Sequence, residues 1–249
     1  MDIGAQLFTV REFCKTPEAL AQTLEKIADI GYEIVQISGT CDYDAAWLKE
    51  QLQKNGLRCV LTHIAGQKLE QDAAAVARDH DIFNCDLVGL GYFPFFKENQ
   101  TTQDFIRRFT PVSKTLLENG KHFCYHHHAH DFAKEDGKLI LQILCDAFEK
   151  DELYITADTY WLQAGGVNPE LWLKKLSGRI PCLHCKDISF DAKMMPVGEG
   201  NLNWEGILST AQECGTRHLL VEQDDCNGKD PFDCLKRSYR NLRAMLGAV

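Results

Sequence analysis

The chain has 249 residues, 45% of them hydrophobic and 25% charged, an ordinary globular composition. Its formal net charge of −9, with no run of lysine or arginine, makes it a poor partner for nucleic acid. No apolar run reaches about 18 residues, so no membrane span is expected. The start "MDIGAQLFTVREF" lacks the basic head and apolar core of a signal peptide. With no such signal, eleven scattered cysteines point to reduced thiols in a cytoplasm.

The elements alternate in chain order. "IGAQLFTV" (3–10) is a short apolar-rich run. In "TPEALAQTLEKIADIG" (16–31), Thr16 is an N-cap, Pro17 the first helical residue and Gly31 the stop. "IVQISG" (34–39) reads as a strand, "YDAAWLKEQLQKNG" (43–56) as a helix and "RCVLTHIAG" (58–66) as a strand. A helix over about 70–83 precedes the strand "DLVGLGYF" (86–93). The next helix, about 101–119, is expected to break or kink near Pro111. "KHFCYHHH" (121–128) is a strand, "GKLILQILCDAFEK" (137–150) a helix and "LYITADT" (153–159) a strand. "NPELWLKKLSG" (168–178) opens on Asn168 and Pro169. Then come "IPCLHCKD" (180–187), the helix 203–215, the strand "HLLVEQD" (218–224) and a final helix, 230–246. Eight strands, each followed by a helix and with no linker, predict one (β/α)8 TIM barrel spanning residues 1–249. An open doubly wound sheet is the other candidate. It usually carries a glycine-rich loop after its first strand, and "TVREFCKT" has none.

In such a barrel the chemistry sits at the C-terminal strand ends. "YHHHAHDF" (125–132) ends strand 5. Side chains on a strand alternate faces, so His126 and His128 share one face and His127 the other. Strand 6 ends at Asp158, strand 7 places His184 and Lys186 on one face, strand 8 places Glu222 and Asp224 on one face, and His63 ends strand 3. An imidazole or carboxylate therefore recurs at the last inward position of four neighbouring strands. His126, Asp158, His184 and Glu222 form a mixed nitrogen and oxygen set suited to Mn²⁺, Zn²⁺, Fe²⁺ or Co²⁺, and less to Mg²⁺.

The segments "YHHHAHDF", "ADTYWLQAGGVNPELWLKKLSGRIPCLHCKD", "VGEGNLNWEGIL" and "VEQD" resemble the xylose isomerase-like TIM barrel superfamily. That group includes sugar phosphate isomerases and epimerases, inosose dehydratase and endonuclease IV. The resemblance implies one divalent metal held at the ends of strands 5 to 8, here by Asp158, His184 and Glu222. Many members place a glutamate of a Glu-Asn-His run at the fourth position. This chain has His126-His127-His128, as inosose dehydratase-like members do. His126 then becomes the fourth ligand or a near neighbour of the metal, and His128 stands beside it or faces substrate.

The implied chemistry is proton abstraction beside the carbonyl of a sugar, keto-sugar or sugar phosphate, with Glu222 as base. The missing strand-5 glutamate removes one base of a two-base relay, leaving His128, His63, Lys186 or Asp131 as the second acid. A lyase or dehydratase of a keto-inositol is therefore the close alternative, and a non-catalytic sugar-binding barrel or subunit a further one. Lys186 and His63 are expected to orient or polarise substrate. Gln36, Trp161 and Glu199 are candidate substrate contacts, although Trp161 also fits packing and Glu199 loop ordering. An endonuclease IV-like site is disfavoured, since Trp161 stands where that class carries a histidine. Relatives often pair through loops at the mouth, which leaves a homodimer open. "CLHC" (182–185) lies within a strand with its cysteines on opposite faces, and reads as packing. "GYFPFF" (91–96) fits a lid, a subunit contact or loop packing.

Overall fold

The structure, a computed structural model, describes residues 1–95, 97 and 100–247. Eight parallel strands close a barrel: β1 (Asp2–Gln6), β2 (Ile34–Ile37), β3 (Arg58–His63), β4 (Leu87–Leu90), β5 (His122–His126), β6 (Tyr154–Asp158), β7 (Cys182–Cys185) and β8 (His218–Val221). Each pairs with its sequence neighbours, and β1 pairs β8 with Ala5 opposite Val221. The expected TIM barrel is therefore the fold.

Strand alternation sorts the core into two layers. Ile34, Val60, Leu61, Leu87, Cys124, Cys182 and Leu220 fill the barrel interior, with Tyr154 against them. The first strand contributes Gly4. A Cβ there would lie 2.6 Å from Ile34 Cγ1 and 2.7 Å from Leu220 Cδ2, so the crowded axis has no room for a side chain. The opposite faces, including Ala5, Val35, Phe123, Ile155 and Cys185, pack against the helices. Cys182 thus lies inside the wall and Cys185 outside it, as expected for "CLHC". All eleven cysteines are free thiols.

The helices are α1 (Pro17–Ile30), α2 (Ala45–Lys54), α3 (Gly66–Ile82), α4 (Thr102–Glu118), α5 (Ile140–Ala147), α6 (Thr159–Ala164), α7 (Pro169–Lys175), α8 (Trp204–Glu213) and α9 (Pro231–Leu246). Thr16 caps Ala19 N–H, Asn168 caps Leu171 N–H, and Gly31 ends α1 at φ +112°. No described helix is long and apolar enough to cross a membrane.

Several boundaries differ from expectation. The first strand stops at Gln6, whose side chain accepts from Phe8 N–H and starts a 3-10 turn, Leu7–Phe13. The helix α4 runs unbroken through Pro111. Asp72 is non-helical inside α3, and its carboxylate caps Ala75 N–H, so the regular part starts near the expected residue 70. Residues 134–139 form a small hairpin before α5. The seventh ladder ends at Cys185, and Asp187–Ile188 instead pairs with Met194–Met195. In the "GYFPFF" segment Phe93 and Phe95 are buried and Tyr92 is exposed, while residue 96 lies outside the described set.

Candidate metal centre

The barrel brings His126, Asp158, His184 and Glu222 together at its C-terminal mouth. One ligand-capable atom from each lies within 4.8 Å of the others, and all four side chains are buried. Asp158 is in register with His184, which is in register with Leu220, two residues before Glu222.

Hydrogen bonds fix the imidazoles. His126 Nδ1 lies 3.2 Å from Gly91 O. A carbonyl only accepts, so Nδ1 carries the hydrogen and Nε2 keeps a lone pair, 3.3 Å from Asp158 Oδ2. His184 Nε2 donates to Gln36 Oε1 at 2.6 Å, leaving Nδ1 bare 3.0 Å from Glu222 Oε2. Neither His184 Nδ1 nor Glu222 Oε2 has a hydrogen bond of good geometry. Electron-rich atoms thus face one another in a buried space, which a divalent cation satisfies. The donor set fits a metal.

The carboxylates are held as firmly. Glu222 Oε1 accepts from Gln6 Nε2 at 2.8 Å, and Asp158 Oδ1 caps α6 through Trp161 N–H at 2.9 Å. Burial pushes the Glu222 carboxyl up, but Lys186 and His184 prevail and hold it well below the usual carboxylate range. Lys186 Nζ lies 3.1 Å from Asp158 Oδ2, 2.8 Å from Glu222 Oε2 and 2.9 Å from Asp224 Oδ2. Burial alone would discharge this ammonium; the three carboxylates reverse that and keep it protonated. Despite Lys186, burial and the nearby Glu222 push Asp224 up to about 7.

A cavity of about 480 Å³ opens on the site, lined by Gln6, Phe8, Ser38, His63, Tyr92, His126, His128 and Glu222 among others. A neighbouring space of about 460 Å³ shares Ser38 and His63 with it. Another, of about 380 Å³, lies at the far end of the barrel by Arg58 and His218 and contains none of these residues.

The other expected site residues divide. His63 stacks on His126 with ring centroids 5.5 Å apart, and its Nδ1 meets Ser38 Oγ at 3.0 Å. Burial, then the neighbouring His184, lowers it to about 3. Its Nε2 has no partner among the described residues. His128 lies against Trp161 at 5.2 Å, and burial, then His126, lowers it to about 2. Trp161 also stands 5.4 Å from Lys186 Nζ. Gln36 is committed to His184. Glu199 is not brought to the cavity: it pairs with Arg237 on α9. Asp131 is buried beneath the site, accepting from Tyr125 O–H and His128 N–H, and burial raises it to about 7.

Sequence reasoning missed four supporting residues. Gln6 occupies the last inward position of β1, but a search for imidazoles and carboxylates passes over an amide. Ser38 sits in the same place beyond β2. His127 faces away from the site, as parity requires, yet its Nε2 accepts from Asp158 N–H at 3.0 Å. Asp187 orders the Gly-Glu-Gly turn, accepting from Gly198 N–H at 2.8 Å, Gly200 N–H at 3.1 Å and Trp204 Nε1–H at 2.7 Å.

Fold and site together define a TIM barrel whose mouth carries two histidines and two carboxylates on four successive strands. The chain belongs to the xylose isomerase-like TIM barrel family, whose model matches residues 24–245. Among solved structures it resembles a sugar phosphate isomerase/epimerase from Parabacteroides distasonis ATCC 8503, with TM-score 0.83, 19% identity, and 98% of this chain and 93% of that one covered. It also resembles an L-ribulose 3-epimerase, with TM-score 0.78, 14% identity and coverage of 100% and 95%. A third is the IOLI protein with a binding zinc atom, with TM-score 0.75, 12% identity and coverage of 100% and 99%. No curated protein sequence matches significantly.

Proposed function

We propose that this chain is a divalent-metal-dependent isomerase or epimerase of a sugar, keto-sugar or sugar phosphate, acting by proton removal beside a carbonyl. The observation that carries this reading is the convergence of His126, Asp158, His184 and Glu222, with both imidazole lone pairs turned inward. These four residues would hold the ion. The zinc in a neighbour of this fold and the mixed donor set favour Zn, Mn, Co or Fe over Mg. A bound ion supplies a Lewis acid for the carbonyl and adjacent hydroxyl oxygens of substrate.

The chain's own groups do the rest. Glu222 lines the cavity, is held ionised, and takes the proton from the carbon beside the carbonyl. His63, neutral and with a free Nε2, meets a substrate hydroxyl from the strand-3 side, and His128, packed on Trp161, lines the same cavity. The cavity falls within the usual range for small-molecule sites, about 300–1,000 Å³. The free thiols fit a cytoplasmic setting, and a homodimer is the assembly proposed.

A second reading, a lyase or dehydratase of a keto-inositol or keto-sugar, is favoured by one observation. Glu222 is the single carboxylate among the described residues lining this cavity. A single carboxylate that takes the proton beside the carbonyl and hands it to the departing β-hydroxyl releases water without a second base.

The test begins with elemental analysis of protein purified without a nickel column, then a screen of ketoses and keto-inositols. About one Zn, Mn, Fe or Co per chain is expected, lost in His126→Ala and in Glu222→Ala. A product of unchanged mass marks an isomerase or epimerase, and loss of water marks the lyase. Protein that neither contains nor binds such an ion refutes the enzyme reading.

A further inference from the structure

Lys186 follows His184 by two residues and so points to the same inner side of the wall. It is fully buried, and its three donors meet three carboxylates: Asp158 Oδ2 at 3.1 Å, Glu222 Oε2 at 2.8 Å and Asp224 Oδ2 at 2.9 Å. The first two oxygens are those that face the imidazole lone pairs, His126 Nε2 at 3.3 Å and His184 Nδ1 at 3.0 Å. The ammonium and the set of four therefore use the same oxygens. Asp224 differs: it touches Lys186 but is not one of the four, and Arg11 pins its backbone carbonyl from 3.1 and 3.2 Å.

We infer that Lys186 is a built-in counter-ion that competes with the divalent cation for Asp158 and Glu222, with Asp224 as the carboxylate that keeps it to one side. The inference rests on the metal reading above and assigns Lys186 to the ion's affinity instead of to substrate. The physical reason is charge. Buried carboxylates this close repel and need compensation. A monovalent and a divalent cation sharing their oxygens in a poorly solvated site repel each other in turn. The lysine thereby steadies the carboxylates at the cost of weaker metal binding.

Isothermal titration with ZnCl2 and with MnCl2 tests this on wild type, Lys186→Met and Asp224→Asn, with circular dichroism as the check on folding. Lys186→Met is expected to bind at least tenfold more tightly than wild type, equivalent to about 1.4 kcal/mol. Its metal-free form is expected to melt at a lower temperature, because the carboxylates lose their counter-ion. Asp224→Asn is expected to bind at least threefold more weakly. A folded Lys186→Met with unchanged or weaker affinity overturns the inference. If that variant does not fold, unchanged or tighter binding by Asp224→Asn overturns it instead. Wild type that binds neither ion refutes the metal reading itself, and the inference with it.

Discussion

At the scale of single residues, the protonation pattern of two histidines is set by groups that never touch the proposed ion. Gly91 O and Gln36 Oε1 each take one imidazole hydrogen and so aim the other nitrogen inward. Replacing Gln36 by Leu leaves the His184 Nε2–H without an acceptor in a buried site. Metal affinity should fall about 10- to 100-fold with the fold intact, measured by titration with Zn²⁺; unchanged affinity would show that Gln36 does not orient the ring. The four converging side chains were legible because strand parity, position at the strand end and residue type together select them, and the family resemblance points to three of the same residues. Their supports were harder to see. Gln6 is an amide, which draws no notice as a ligand, and Gln36 reads as a substrate contact although it is spent on His184. The bond from His127 to Asp158 N–H crosses between strands on the face that parity turns away from the site. Glu199 read as a site residue because its turn resembles one at the mouth; its partner, Arg237, is 38 positions away in sequence.

At the scale of elements, the caps Thr16 and Asn168 and the stop at Gly31 were readable because each needs only local chemistry. The strand ends were overextended because apolar character continues past the last ladder pair, as where β4 stops at Leu90 and Tyr92 and Phe93 follow. One helix carries a pH effect. His80 of α3 donates from Nδ1 to Val76 O at 2.7 Å, so its Nε2 accepts from Thr62 Oγ1 at 2.8 Å; a second ring hydrogen falls on Nε2 and ends that acceptance, while the bond to Val76 O persists. Burial lowers this histidine from 6.5 to about 4. A depressed histidine gives stability that is fully present above about pH 6.5 and is lost as pH falls toward 4, up to roughly 3 kcal/mol. Urea unfolding at pH 7 and at pH 4.5 should show that decline on top of the one from His63 and His128, and His80→Gln should reduce the total by about the His80 share. An equal decline in the variant would place the effect elsewhere.

At the scale of the whole molecule, eight repeats of strand and helix made the barrel legible before any one boundary was. The interior was less so, since a sequence does not reveal which glycine marks a crowded axis. Gly4→Ala should cost about 1–3 kcal/mol, because its methyl meets Ile34 and Leu220 below 3 Å. Denaturant midpoints of wild type and variant measure this, and equal values would mean that the interior can give way. The net charge of −9 is consistent with the same picture, as three acidic groups converge at the mouth around one lysine.

The two-layered core also places sulfur at different depths. Cys124 and Cys182 lie inside the wall, whereas Cys14 and Cys185 lie between wall and helices, and all four are buried. Each layer therefore carries its own alkylation reporter. Pulse labelling with a thiol reagent, read by peptide mass, would order the events of unfolding without an added probe. If helices peel away before the barrel opens, Cys14 and Cys185 react first; if the wall and its cover part together, all four react at one rate.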